Sequence, residues 1–250
     1  MSLKQKVIFI TDACSAIGLA TVHEAVHAGA RVFMVGTNED ELQVTQDEMR
    51  VKGFETAYAV ADVAEYDQLL VAADACLTTF ARIDTWINCA NFKFYKKITE
   101  TTDQEAKRLF DTNFWGVSNG CKIAISVMKA QDQGEIINLG SFHSDIALPL
   151  QGYYSATQHA IMGFTDALRR ELRSQNSSIS ISFVVAGGAT NKEVALSFLS
   201  EGRSSNEDHI LGGTAKIMPV LQKFIPRIQD RVITLWYSHQ RKLERLKLFH

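Results

Sequence analysis

The sequence predicts an α/β fold: one domain built on a doubly wound parallel sheet with helices on both faces. Short apolar runs suited to buried strands alternate with longer helix-period segments from Lys6 to Val185. Each strand and helix together have the length of a βα unit, the connection that joins parallel strands. A chain of 250 residues, 46% hydrophobic, suits one such domain with a sizeable core better than two.

The elements follow in order. Lys6–Ile10 is a buried strand, and Ile17–Ala28 a helix stopped by Gly29. Arg31–Val35 is a strand, and Glu39–Lys52 a polar-faced helix ended by Gly53. Thr56–Val60 and Tyr66–Ala81 form the next strand and helix, and Thr85–Ile87 a short strand. Asp103–Met128 reads as one long helix, followed by the strand Ile136–Leu139. Tyr153–Ser174 is a helix and Ile179–Val185 a strand. In sheets of this kind ligands bind beyond the carboxyl ends of the strands, so Asp12, Asp62, Asn88, Ser141 and Gly187 should share one rim. Residues 191–225 read as a substrate lid. Residues 236–250 carry an apolar stripe of Trp236, Leu243, Leu246 and Phe249 among Arg241, Lys242, Arg245 and Lys247. That stripe suits packing on its own domain or on a sister subunit, with attachment to a membrane surface as the alternative.

Composition excludes several classes. A net charge of −2, from 26 basic and 28 acidic residues, gives no global field favouring nucleic acid or anionic membrane. No apolar stretch reaches the roughly 18 residues of a membrane span, and the first residues lead straight into a strand. Cys14, Cys76, Cys89 and Cys121 show neither Cys-x-x-Cys spacing nor paired histidines. A reduced, cytoplasmic chain without a structural metal is expected.

Ser141 ends an apolar strand, and Tyr154 follows 13 positions later in Tyr154-Ser155-Ala156-Thr157-Gln158. Upstream lie Thr11-Asp12-Ala13-Cys14-Ser15-Ala16-Ile17-Gly18, Asp62-Val63, Asn88-Cys89-Ala90-Asn91 and Asp111-Thr112-Asn113-Phe114. In this order and spacing, over roughly residues 5–190, the chain resembles the short-chain dehydrogenase/reductase family, whose fold is of Rossmann type. The resemblance implies Tyr154 as the general acid for a carbonyl oxygen. It implies Ser141 as that oxygen's hydrogen-bond partner, and Asn113 as the holder of a proton-relay water. The cofactor-binding positions it implies are Asp12, Ser15, Ile17, Gly18, Thr37, Asp62, Val63, Asn88, Gly187 and Thr190. A homodimer or homotetramer, or a hetero-oligomer with a related subunit, is implied through the helices Asp103–Met128 and Tyr153–Ser174.

The departures concentrate on cofactor handling. The family lysine, four positions after the tyrosine, is Gln158. The two residues lie on one helical face, but an amide brings no charge to lower the tyrosine's pKa. An unshifted tyrosine is about one-thousandth phenolate at pH 7, so oxidation should suffer more than reduction. His159 projects about 100° around the helix from Gln158 and does not replace the lysine. Of the phosphate loop's three glycines only Gly18 remains, with Asp12 and Ala16 at the other two positions. Aspartate tolerates the left-handed turn. Its charge, however, would repel a phosphate about 5 Å away by roughly 3 kcal/mol at an effective dielectric near 20. As the alternative role, Asp12 is a turn residue or a helix cap. Ala186 replaces the proline of the loop Val185-Ala186-Gly187-Gly188-Ala189-Thr190. The second strand ends at Gly36 without the acidic side chain that NAD enzymes use, which favours NADP(H) over NAD(H), with Thr37 and Asn38 as donors. Ser141-Phe142-His143 does not favour a hydrolase, because no Gly-x-Ser-x-Gly elbow exists and residues two apart need not converge. The reading is a weak NADP(H)-type carbonyl reductase of unknown substrate. The alternative is a non-catalytic member acting as partner subunit or ligand-sensing scaffold.

Overall fold

The computed structural model describes residues 3–200 and 207–212. In chain order the elements are β1 (Val7–Thr11), α1 (Ala16–His27), β2 (Arg31–Gly36), α2 (Glu39–Val51), β3 (Thr56–Val60), α3 (Tyr66–Phe80) and β4 (Thr85–Asn88). There follow α4 (Asp103–Phe110), α5 (Gly116–Gln131), β5 (Gly134–Ser141), α6 (Gly152–Ser174), β6 (Ile179–Ala186), α7 (Asn191–Leu199) and β7 (Asp208–Leu211). Every strand pair is parallel, and the order is β3-β2-β1-β4-β5-β6-β7. The chain winds outward in one direction from β1 and then in the other from β4. The crevice between those two strands is the topological switch point, where open α/β sheets bind ligands.

Side chains alternate between the faces of a strand, so a sheet covered on both sides needs near-continuous apolar strands. Val7, Phe9, Phe33, Val35, Trp86, Ile136 and Phe183 face α3, α5 and α6. Ile8, Ile10, Val32, Met34, Ile87, Ile137 and Val184 face α1, α2 and α7. Phe9 stacks on Trp86 with ring centroids 3.9 Å apart, which fastens β1 to β4 below the crevice.

Two segments differ from the periodicity. The expected helix Asp103–Met128 is broken by a π-helical turn at Asp111–Trp115, and its second part runs on to Gln131. The wide turn holds Asn113 fully buried, with its side chain on the backbone of Phe92: Nδ2 donates to the Phe92 carbonyl at 2.8 Å and Oδ1 accepts from its N–H at 2.7 Å. One extra residue per turn leaves the apolar rhythm on either side almost unchanged, so a period of 3.6 does not reveal it.

The start of the segment read as a lid, residues 191–225, is helix α7, capped by Thr190 and Glu193 in a reciprocal box. Its Val194, Ala195, Phe198 and Leu199 are buried in the core face shared with α1. Residues 208–211 form the seventh strand, held to α6 by the Arg169–Asp208 ion pair at 2.5 Å. Residues 201–206 and 213–225 of that segment, and the tail 236–250, lie outside the described residues.

Candidate active site

The loop after β1 makes a left-handed turn at Asp12, whose φ is 53°. The turn persists without glycine because aspartate tolerates this region. Capping of α1 falls to Ser15, whose Oγ accepts from the Gly18 N–H at 3.1 Å, and not to Asp12. Gly18 is obligatory, since a Cβ there would sit 2.2 Å from the Asp12 carbonyl oxygen. Ala16 begins the helix exposed, and Ile17 packs on the core face. Burial pushes the Asp12 carboxyl above its ordinary value and Glu41 adds to this, against a hydrogen bond from Ser15.

A cleft of about 260 Å³ opens at the switch point, lined by Asp12, Gly36, Thr37, Ala61, Asp62, Val63, Ala90, Asn91, Phe92, Arg108 and Thr112. It thus brings together the expected positions Asp12, Thr37, Asp62 and Val63. Asp62 is held from two sides: Oδ1 accepts from the Ala64 N–H at 3.0 Å, and Oδ2 lies 2.8 Å from an Arg108 nitrogen. Arg108 escaped the sequence reading, since a helical arginine forty-six positions from its carboxylate carries no local pattern. Asn38, expected as a donor beside Thr37, accepts from the Glu41 N–H as the cap of α2, and Glu39, Asp40 and Glu41 follow in that helix's first turn. Two buried polar atoms of the cleft residues, Asn91 Oδ1 and Thr112 Oγ1, have no hydrogen-bond partner among the described residues.

Other expected cofactor positions have committed side chains. Asn88 is 2% exposed and faces the core, accepting from Trp86 Nε1 at 2.8 Å and donating to Asn138 Oδ1 at 2.8 Å. Thr190 Oγ1 caps α7, donating to Glu193 Oε2 at 2.9 Å. Gly187 donates its N–H to the Leu211 carbonyl at 3.0 Å, which leaves the loop after β6 fastened to β7. Thr11, not anticipated, ties the crevice together: its Oγ1 accepts from the N–H groups of Cys89 at 3.0 Å and Ala90 at 3.3 Å. Thr11→Val strands both donors, so a loss of about 2 kcal/mol in urea unfolding is expected.

The chemistry end is compact. Tyr154 is 3% exposed on α6, and its Oη accepts from Asn91 Nδ2 at 3.0 Å. Burial raises its pKa, against the lowering influence of the Asn91 amide and the Ser141 hydroxyl. Ser141, at the end of β5, also meets His143: Oγ and Nδ1 are 2.9 Å apart, and the other ring nitrogen bonds Gln151 Oε1. The convergence of Ser141 and His143 corrects the expectation from their spacing. A 3-10 turn at Phe142–Ser144 folds the imidazole back over the serine. Burial holds the His143 pKa down to about 4, so the ring accepts a hydrogen bond but is a poor base for drawing off the serine proton. Asn113, besides its bonds to Phe92, donates to Thr157 Oγ1 at 3.2 Å. Gln158 is 1% exposed and its Oε1 has no partner among the described residues.

A dinucleotide fits this arrangement at its adenosine end, where the cleft offers Asp62, Arg108 and unpartnered polar atoms. It is opposed where Asp12 enters the phosphate loop. Among the described residues no group of three or more His, Cys, Asp or Glu could hold a metal, and no helix is long and apolar enough to cross a membrane.

The sequence profile of the short chain dehydrogenases matches residues 6–197. The uncharacterized oxidoreductase YxnA of Bacillus subtilis (strain 168) is 29% identical over 268 residues, covering 97% of this chain and 75% of its own. A short chain dehydrogenase/reductase from Burkholderia phymatum, solved in complex with NAD, superposes with a TM-score of 0.85 at 19% identity, covering 92% of this chain and 96% of that one. A gluconate 5-dehydrogenase from Burkholderia cenocepacia J2315, in complex with NADP and tartrate, does so with a TM-score of 0.76 at 21% identity over 86% and 97%. At these identities the two structures share the fold.

Proposed function

The chain belongs to the short-chain dehydrogenase family, and from that premise we propose that it is a dinucleotide-dependent oxidoreductase that reduces a carbonyl compound, at low efficiency. The observation that carries this reading is the hydrogen bond from Asn91 Nδ2 to Tyr154 Oη at the sheet rim, beside a cleft at the β1–β4 switch point that Asn91 also lines. Asp62, Val63 and Thr37 would hold the adenosine part, with the helix N-terminus behind Ser15 and Gly18 nearest the phosphates. When bound, the dinucleotide supplies the hydride. The protein's own part is acid chemistry: burial keeps Tyr154 protonated at neutral pH, ready to donate to a carbonyl oxygen, and Ser141 lies beside it to bind that oxygen. Asn113 braces the loop that carries Asn91 and Phe92.

Low efficiency rests on Gln158 and Asp12. No hydrogen bond joins Gln158 to Tyr154 among the described residues, and an amide stabilises phenolate less than an ammonium does, so alcohol oxidation loses more than carbonyl reduction. For the coenzyme we favour NADP(H): Gly36 presents no carboxylate and Thr37 is an exposed hydroxyl, although the acidic first turn of α2 opposes an extra phosphate. A non-catalytic role as partner subunit or ligand-sensing scaffold draws on the departures at Asp12, Ala16, Asn91, Gln158 and Ala186 together. Calorimetric titration decides between them. Sub-millimolar binding of NADPH, tighter than that of NADH, is the expected result; no heat with either coenzyme would overturn the enzymatic reading.

A further inference from the structure

The segment between β4 and α4 touches Tyr154, and its side chains divide by parity. Residues 90–97 form neither helix nor turn. In extended chain, neighbours point to opposite sides and residues two apart to the same side. The even positions face α4. Phe92 and Phe94 pair edge-on with ring centroids 6.1 Å apart, and line a cavity of about 380 Å³ with Gln104, Glu105 and Arg108. Lys96 Nζ joins that side, 2.8 Å from Glu105 Oε2. The odd positions face the other way. Asn91 Nδ2 donates to Tyr154 Oη at 3.0 Å, so Lys93 and Tyr95, two and four residues on, stand on the side of the proton donor. The segment is fastened again at its far end, where the Lys96 N–H donates to the Leu150 carbonyl just before α6 at 2.8 Å. Two electrical effects agree with this placement. Burial lowers the pKa of His143 and the Lys93 charge lowers it further, while Tyr95 adds to the burial that raises that of Tyr154.

We propose that Lys93 is a substrate-binding residue that selects carbonyl compounds carrying an anionic group, a carboxylate or a phosphate, a few bonds from the reacting carbon. The inference deepens the reading of the site as carbonyl-reducing and rests on it. The Lys93 charge has no answer within the protein. Lys96 and Lys97 of the same segment are paired with Glu105 and Glu100, and Arg108 with Asp62, whereas Lys93 has no carboxylate partner among the described residues. The first turn of α6, on which Tyr154 sits, contains no acidic residue. Two residues of extended chain span about 7 Å, so the cation stands over the mouth of the site and not at the reacting carbon. There it holds the far end of a short substrate while the carbonyl oxygen lies at Tyr154, and fixing both ends is what brings a reacting group into line. An ammonium offers three donors on a flexible stem and accepts either anion without fixing its geometry. Tyr95, 61% exposed, adds an aromatic surface for the carbon chain between the two ends.

Two matched pairs of probes test this: 4-oxopentanoate against its methyl ester, and dihydroxyacetone phosphate against dihydroxyacetone. With NADPH, the charged member of at least one pair should be reduced with the higher kcat/KM, and the pair that responds identifies the anion. In Lys93→Met the charged-to-neutral ratio of that pair should fall about tenfold, mostly through KM, as for a contact made equally before and during the reaction. Lys93→Arg should keep most of the ratio. Lys97→Met, on the same segment but paired with Glu100, should leave it unmoved. Calorimetric titration of the same probes into the protein without coenzyme separates this proposal from the reading it rests on. The charged member should bind more tightly than the neutral one whether or not hydride transfer follows, and Lys93→Met should abolish the difference. Preferential binding without turnover would count against the reductase reading and still assign the anion to Lys93. Equal affinity within both pairs, binding of no probe, or a preference retained in Lys93→Met would overturn the proposal.

Discussion

Asp12→Gly is expected to tighten dinucleotide binding about a hundredfold. A carboxylate some 5 Å from a phosphate at an effective dielectric near 20 repels it by roughly 3 kcal/mol, and every 1.4 kcal/mol is a factor of ten. The fold should not suffer. Residue 12 has a φ of 53°, a conformation glycine adopts more readily than aspartate, and the cap of α1 is Ser15. The same charge predicts a pH dependence. Burial raises the Asp12 pKa, so the carboxyl begins to protonate above the ordinary aspartate range as pH falls. Wild-type affinity for NAD should therefore rise on mild acidification, while the glycine variant stays nearly flat. Calorimetry on both proteins, near neutrality and near pH 5, reads both effects. A change of less than about threefold at neutral pH would place Asp12 away from the phosphates.

How much of this was legible in the sequence follows from the range of each signal. Strands β1 to β6 were visible because a sheet buried on both faces writes itself as short uninterrupted apolar runs. The phosphate-loop departures were visible too, since Asp12, Ala16 and Gly18 are neighbours in the chain. The inserted π turn at Asp111–Trp115 was not, because it shifts the helical phase without disturbing composition. Helix α7 carried a readable cue in Thr190 and Glu193, whose spacing is that of a capping box, but the polar residues around it suggested a loop. At the site, types and positions were legible while pairings were not. Asn91 read only as the last residue of the segment Asn88-Cys89-Ala90-Asn91, and its amide proves to be a donor to Tyr154. Asn88 looked like a cofactor residue, and its side chain joins Trp86 and Asn138 in the core. The bond between Ser141 and His143 depends on a single 3-10 turn. Such pairings depend on rotamers and on partners brought in from distant elements, which a linear pattern does not encode.

The second large effect is on stability, and it comes from His143. In the unfolded chain its imidazole titrates near the ordinary 6.5, whereas burial lowers it to about 4 in the folded protein. The folded state thus prefers the neutral ring, and the preference is fully present above pH 6.5. As pH falls from there towards 4, the unfolded chain takes up a proton that the folded chain refuses, so stability declines; below about 4 both states are protonated and this contribution stops changing. A difference of 2.5 pH units in affinity for one proton amounts to about 3 kcal/mol. Asp12 and Asp145, whose pKa values are raised mainly by burial, act in the opposite sense as pH falls. Asp84 and Glu105, whose pKa values are lowered, begin to cost stability as pH falls into the ordinary carboxylate range, where the unfolded chain takes up their protons. The His143 contribution is isolated by subtraction: urea unfolding of wild type and of His143→Gln, at steps from pH 7.5 to pH 4.5. The glutamine variant should start less stable, having lost the fit between Ser141 and Gln151, but its stability should fall less steeply. The two curves should therefore approach each other over this interval. Parallel curves would mean that folding leaves the His143 pKa unshifted; curves that part as pH falls would mean that the ring is already protonated in the folded protein at neutral pH. Its Nδ1 would then be a donor to Ser141, and the serine proton would be directed towards the substrate instead of the ring.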